Sequence, residues 1–139
     1  MTDDGVPSGF EPWPSRSGQD FLAHSGPVYR RVEDGFTLGF RVLPRHCNAG
    51  GTCHGGMLSF LADMLLIGGS KAALGYDGFT STISLQCDFL EAVQPGSWLE
   101  GRMEVARATN SLIFAEGRLT CEGRPVLRTN GILRRPSQR

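Results

Sequence analysis

The chain has 139 residues, a length that suits one domain with one core and is short for two. Fourteen Lys+Arg balance fourteen Asp+Glu and charged residues make up 20% of the chain, which argues against electrostatic binding to nucleic acid or to an anionic membrane. Apolar residues at 40%, with eight Phe and two Trp, can fill a core, and no stretch long enough for a bilayer span is free of charge.

Residues 1–19 are rich in Pro, Gly, Ser and Asp, a composition that rarely buries enough surface to order itself, so a flexible tail is expected before a single domain over 20–139. Met1 to Gly9 lack the basic and apolar regions of a secretory signal, and the expected setting is cytoplasmic. From Tyr29 the pattern changes. Phe36, Leu38, Phe40 and Val42 alternate with Thr37, Gly39 and Arg41, which predicts a half-buried strand, and Asp34-Gly35 before it is a hairpin signal. The glycine-rich stretch from Pro44 to Gly56 is expected to be a loop.

Met57 to Ile67 combines strong helix formers with apolar residues on nearly every side, as in a buried helix, and Gly75 with Asp77-Gly78 ends it. Four strand-like runs follow: Ile83, Leu85, Cys87 and Phe89; Leu99, Met103 and Val105; Ile113, Ala115, Leu119 and Cys121; then Leu127 and Leu133. Turns are expected at Gln94-Pro95-Gly96, Ala108-Thr109-Asn110 and Glu122-Gly123-Arg124. One apolar helix followed by four consecutive strands predicts an α+β domain, an antiparallel sheet curled around a central helix.

The four cysteines, Cys47, Cys53, Cys87 and Cys121, are read as reduced and mostly buried. The cluster His46-Cys47 and Cys53-His54 offers zinc-type ligands, but its spacing is not that of a finger or ribbon, and no metal is expected.

The segment Asn48-Ala49-Gly50-Gly51-Thr52-Cys53-His54-Gly55-Gly56 runs straight into the helix that contains Asp63. The N–H groups of Gly55 and Gly56 lie at a helix N-terminus, where unpaired donors and the positive dipole end favour an anion or a developing oxyanion. Asp63 has apolar neighbours, and a carboxylate on such a helix needs partners or a role. From the residues alone two readings stay open for it, a structural tie or a catalytic group. His54 alone reads as a residue bonded to backbone at the helix start, and Asn48 alone as a turn residue. Cys53 beside His54 is a rival nucleophile.

The pattern Asn48-x5-His54-Gly55-Gly56-x6-Asp63 resembles the hotdog-fold acyl-CoA thioesterases of the phenylacetic-acid-degradation (PaaI-like) type. The resemblance continues into residues 81–90 and 111–117 and spans roughly residues 27 to 134. It implies a hotdog fold and hydrolysis of an acyl-CoA thioester without a cofactor. Asp63 would be nucleophile or general base, the Gly55 N–H the oxyanion donor, and Asn48 the group that orients water or thioester. His54 would stand beside the carbonyl, and Thr82 would hold water near the carboxylate. It also implies a homodimer or homotetramer in which Asp63 of one copy faces Gly55 of another.

Substrate contacts are expected from Gly56, Phe60 and Met64 along the helix, and from Arg107 with the Thr109-Asn110 turn toward the CoA phosphates, possible partners also being Arg134 or Arg135. A hotdog enoyl-thioester hydratase or dehydratase and a noncatalytic acyl-CoA-binding module are the alternatives.

Overall fold

The computed structural model describes residues 5–136. Its elements run β1 (Glu11–Pro12), α1 (Phe21–Ser25), β2 (Val28–Arg31), β3 (Thr37–Arg41), a 3₁₀ turn (Pro44–His46), α2 (Gly55–Leu74), β4 (Ser81–Phe89), β5 (Trp98–Ala108), β6 (Leu112–Cys121) and β7 (Arg124–Arg134). The strands form one seven-stranded sheet in the order β1-β2-β3-β5-β6-β7-β4, antiparallel throughout. Because β4 pairs with β7 and not with its neighbours in sequence, the chain closes the far edge of the sheet directly after leaving α2.

Helix α2 starts at Gly55, capped by His54, and stops at Gly75, whose left-handed backbone (φ 66°) suits a residue without Cβ. Its length and hydropathy would also suit a bilayer span, but Leu58, Leu61, Ala62, Leu65 and Leu66 are buried in the sheet's concavity. There they meet Leu38, Phe40, Leu99, Ile113, Leu119, Leu127 and Leu133. The expectation of a helix buried on every side is therefore corrected: Phe60, Asp63, Met64 and Ile67 lie only half-buried on the flank the sheet does not reach.

Asp34 (φ 56°) and Gly35 (φ 90°) make the tight turn between β2 and β3, and Glu122 (φ 50°) and Gly123 (φ 78°) make the one between β6 and β7. The remaining expected turns also fall between strands.

Two features depart from the sequence reading. Residues 1–4 of the expected tail lie outside the described residues, but Val6 and Phe10 are buried and β1 pairs with β2. Phe10 sits edge-on to Trp98 (5.2 Å) on the outer side of the sheet, and Trp13 sits edge-on to Phe36 (5.5 Å) against Gly68 of α2. Apolar side chains spaced along this stretch dock it despite its proline and glycine content.

The second departure is in β4. Its register shifts between Thr82 and Ser84, leaving Ile83 as an extra residue that is 49% exposed. The bulge breaks the alternation expected for Ile83, Leu85, Cys87 and Phe89, so that Thr82 and Leu85 are both paired opposite residues on the helix side, Leu133 and Gly131.

Candidate active site

The loop before α2 is built as a small hairpin. Cys47 and Cys53 face each other as an antiparallel bridge, flanked by Asn48 N–H to the Thr52 carbonyl (2.7 Å) and His54 N–H to the His46 carbonyl (2.8 Å). Asn48 Oδ1 accepts from the Gly50 N–H (3.0 Å) and the Thr52 N–H (3.2 Å), and its Nδ2 donates to Thr52 Oγ1 (3.2 Å). Asn48 thus organises the loop tip. The base of the loop is fixed by the Cys53 N–H donating to the Val93 carbonyl (2.8 Å) and by buried His46, whose Nδ1 accepts from the Leu43 N–H (3.0 Å). Burial holds the His46 imidazole below its ordinary pKa, so the uncharged ring suits its place against Phe40.

His54 is the N-cap of α2, with Nδ1 accepting from the Gly56 N–H (2.8 Å). The Gly55 N–H, one residue earlier, has no acceptor among the described residues. Gly55, where a Cβ would lie 3.5 Å from the Phe89 ring, borders a hollow of about 300 Å³ that is also lined by Cys53, Leu58, Phe89, Leu90, Glu91, Ala92 and Val93. Phe89 and Leu90 are about half exposed there. Sequence reasoning counted Phe89 only as a strand residue, considered His46 only as a zinc-type ligand, and gave Thr52 and Leu90 no role. Only the paired exposed apolar residues at the end of β4 hint at a surface with a use.

Asp63 is half-buried on α2, and Thr82 Oγ1 donates a hydrogen bond to its Oδ1. The β4 bulge gives Thr82 this orientation. Asp63 and Thr82 are thus brought together, with the hydroxyl directly on the carboxylate and not on a water beside it. Asp63 and Gly55 are not: eight positions apart on one straight helix, they are separated by about 12 Å along its axis. A single chain therefore presents the Asp63 carboxylate and the Gly55 N–H at two separate places.

Phe60 is half-buried and packs on Phe21 of α1 (ring centroids 4.8 Å), while Met64 borders the main core and Gly56 is exposed. Arg107 is exposed, on the outer face of the sheet, because a bulge between Val105 and Arg107 turns it away from the helix. The Thr109 hydroxyl accepts from the Ser111 (3.3 Å) and Leu112 (3.0 Å) N–H groups, and its carbonyl accepts from Arg135 (3.2 Å), so that much of this turn is occupied by its own bonds; Asn110 is exposed beside it. Arg134 is exposed nearby. Cys53, the rival nucleophile, is 5% exposed and burial pushes its thiol up to about 11, so it stays protonated near neutral pH.

The family model for the thioesterase superfamily matches residues 50–127. The chain is 33% identical over 142 aligned residues to "Putative esterase PA0474" of Pseudomonas aeruginosa, covering 94% of this chain and 98% of that protein. Among solved structures it is similar to a phenylacetic acid degradation-related protein from Ralstonia eutropha JMP134 (TM-score 0.75, 22% identity, 88% of this chain and 92% of the other). It is also similar to a hypothetical thioesterase protein from Streptococcus pneumoniae TIGR4 determined with coenzyme A (TM-score 0.71, 20% identity, 94% and 98%). A third is the E. coli PaaI protein from the phenylacetic acid degradation operon (TM-score 0.71, 20% identity, 86% of each chain). The architecture is the hotdog fold.

Proposed function

The chain belongs to the thioesterase superfamily and is a thioester hydrolase, and from that premise we propose that it hydrolyses an acyl-CoA to the free acid and CoA in a site shared by two copies of the chain. The observation that carries the reading is the half-buried Asp63 carboxylate, the one acidic group on a mostly apolar helix, held there by Thr82. A thioester needs little more than this. Sulfur leaves readily, so the protein must mainly deliver an attacking oxygen and stabilise the carbonyl oxyanion.

Asp63 supplies the attack, either directly on the thioester carbon or by taking a proton from water that attacks it. The carbonyl oxygen becomes an oxyanion, which the Gly55 N–H receives. The tetrahedral species then collapses, the C–S bond breaks, and CoA leaves as thiolate. With direct attack, water subsequently hydrolyses the acyl-Asp63 anhydride. Asn48 orients the attacking group, His54 lies beside the carbonyl, and Thr82 steadies the carboxylate.

The separation of about 12 Å between Asp63 and Gly55 within one helix supports a site completed by a second copy. The β4 edge suits such pairing: it is nine residues long, unpaired on one side, and carries exposed Ile83 and Phe89. Gly56, Phe60 and Met64 would line the acyl path. Arg107, which makes no ion pair among the described residues, and the Thr109-Asn110 turn would meet the CoA phosphates. The coenzyme A in the Streptococcus pneumoniae relative supports that class of substrate.

The test is free-thiol release from a panel of aromatic, short-chain and medium-chain acyl-CoAs. Thiol release with one acyl class preferred is the expected result. Change in enoyl absorbance without thiol release would identify a hydratase, and saturable binding without either would identify a binding module.

A further inference from the structure

The hairpin that leads into α2 sets two cysteines face to face. Cys47 and Cys53 form its antiparallel bridge, and the bonds on either side run from the Asn48 N–H to the Thr52 carbonyl (2.7 Å) and from the His54 N–H to the His46 carbonyl (2.8 Å). The two cysteines exchange no backbone bond with each other: the Cys47 N–H goes to the Pro44 carbonyl (3.1 Å) and the Cys53 N–H to the Val93 carbonyl (2.8 Å). They are therefore a non-hydrogen-bonded pair, the closer of the two antiparallel pair types, with Cα atoms about 4.5 Å apart and both side chains on one face. That separation lies inside the range a disulfide spans, about 4.4–6.8 Å.

Both thiols are free and both meet the main core, Cys53 within it and half-buried Cys47 at its border. Cys47 Sγ rests 3.7 Å from the Leu43 carbonyl and Cys53 Sγ 3.9 Å from that of His54, so joining them takes side-chain rotation on strands already in register. The other two cysteines have no such neighbour: Cys87 stands opposite Thr129, and Cys121 opposite Leu99 and Arg124. A metal is the weaker fit. His46 and His54 each use Nδ1 to accept a backbone N–H, and no group of three or more candidate ligands comes together among the described residues.

We propose that Cys47 and Cys53 form a reversible disulfide across this hairpin, which makes the loop a modification site for small disulfides such as glutathione disulfide. Cys47, the more accessible of the two, attacks as thiolate on one sulfur of glutathione disulfide; that S–S bond breaks and one glutathione leaves as thiolate. Cys53 then loses its proton to water and attacks the Cys47 sulfur, and the second glutathione leaves. The pair gives up two electrons and two protons, and glutathione disulfide takes them up as two glutathiones. Burial first, and the neighbouring Cys47 second, push the Cys53 thiol up to about 11, which suits it to the second, intramolecular attack and not to the first. Excess small thiol reverses the bond by the same exchange. The cross-link encloses Asn48 and ends beside His54, so it fixes the loop on which the proposed site is built. Hydrolysis is not part of this evidence, and the test reads thiols and mass alone.

The experiment incubates the native full chain with glutathione disulfide at about pH 8, blocks the remaining thiols after denaturation, and maps the tryptic peptides. Trypsin leaves both cysteines in one peptide, His46–Lys71. That peptide should become lighter by two hydrogen atoms, the chain should keep two of its four thiols, and dithiothreitol should restore all four. The bond should form at least about tenfold faster than glutathione adds to Cys87 or Cys121. Cys53→Ala should stop at the mixed disulfide, with one glutathione on Cys47, and in Cys47→Ser the buried Cys53 should react at least about tenfold more slowly than the wild-type pair. Four free thiols in the folded, treated wild type would overturn the proposal. So would a disulfide that maps between chains or onto Cys87 or Cys121, or one that forms only after the circular dichroism of the fold is lost.

Discussion

The Thr82 hydroxyl donates a hydrogen bond to Oδ1 of Asp63, so the strand that follows α2 comes back to hold the one carboxylate the helix carries. The bond depends on the β4 bulge at Ile83, without which the alternation set by Leu85 and Cys87 would turn Thr82 away from the helix. Asp63→Asn keeps size and burial but removes the negative charge. It should lower acyl-CoA turnover by at least about a hundredfold, the scale of a lost general base, with an unchanged melting temperature. Thr82→Ala leaves the carboxylate present but less well held, and Asn48→Ala leaves it untouched, so each should cost less, on the order of tenfold. Wild-type turnover in a well-folded Asp63→Asn would make the residue structural.

His54 has a measurable structural task in addition to its proposed place beside the carbonyl. Its Nδ1 caps the Gly56 N–H at the start of α2. His54→Ala should cost about 1 kcal/mol of stability, the usual value of an N-cap. His54→Asn, whose side-chain oxygen can take the same bond, should recover most of that stability in thermal unfolding. Recovery of stability without recovery of turnover would separate the cap from the chemistry.

Cys53 should be dispensable for hydrolysis. It is buried and its thiol is pushed up to about 11, so the reactive thiolate is scarce below that pH. Cys53→Ala should retain turnover within a few-fold (about threefold) of wild type, since no step needs the sulfur. In the native protein its alkylation by iodoacetamide should be slow at pH 8 and speed up as pH rises toward 11. Rapid alkylation at neutral pH that matches loss of activity would contradict this.

Gly68 marks where the N-terminal segment lies against α2. A Cβ there would press into the Trp13 ring and lie 2.7 Å from Phe36 Cζ. Gly68→Ala should therefore destabilise by about 1–3 kcal/mol, as overpacking does, despite alanine's better helix propensity. Trp13 is expected to become more accessible to a fluorescence quencher. A raised melting temperature would show that the segment yields without cost.

Local physical chemistry made most of the fold legible. The alternation around Leu38 and Phe40, the positive-φ turns at Asp34-Gly35 and Glu122-Gly123, and the run of helix formers from Met57 are all short-range signals, and each corresponds to an element of the structure. Candidate residues were legible as well, because His54-Gly55-Gly56 at a helix start and Asp63 among apolar neighbours are unusual choices for a sequence that needs only a core.

Three things depended on long-range packing. Docking of Phe10 and Trp13 needs partners at Trp98 and Phe36, which composition in the first nineteen residues cannot foretell. The bulges at Ile83 and between Val105 and Arg107 follow from register with β7 and β6, and they decide that Thr82 faces Asp63 while Arg107 faces outward. Rows of like charge on the outer face, Arg102 beside Arg118 and Glu104 beside Glu116, exist only across paired strands: along β5 and β6 the charges simply alternate in sign, and pairing alone sets like beside like.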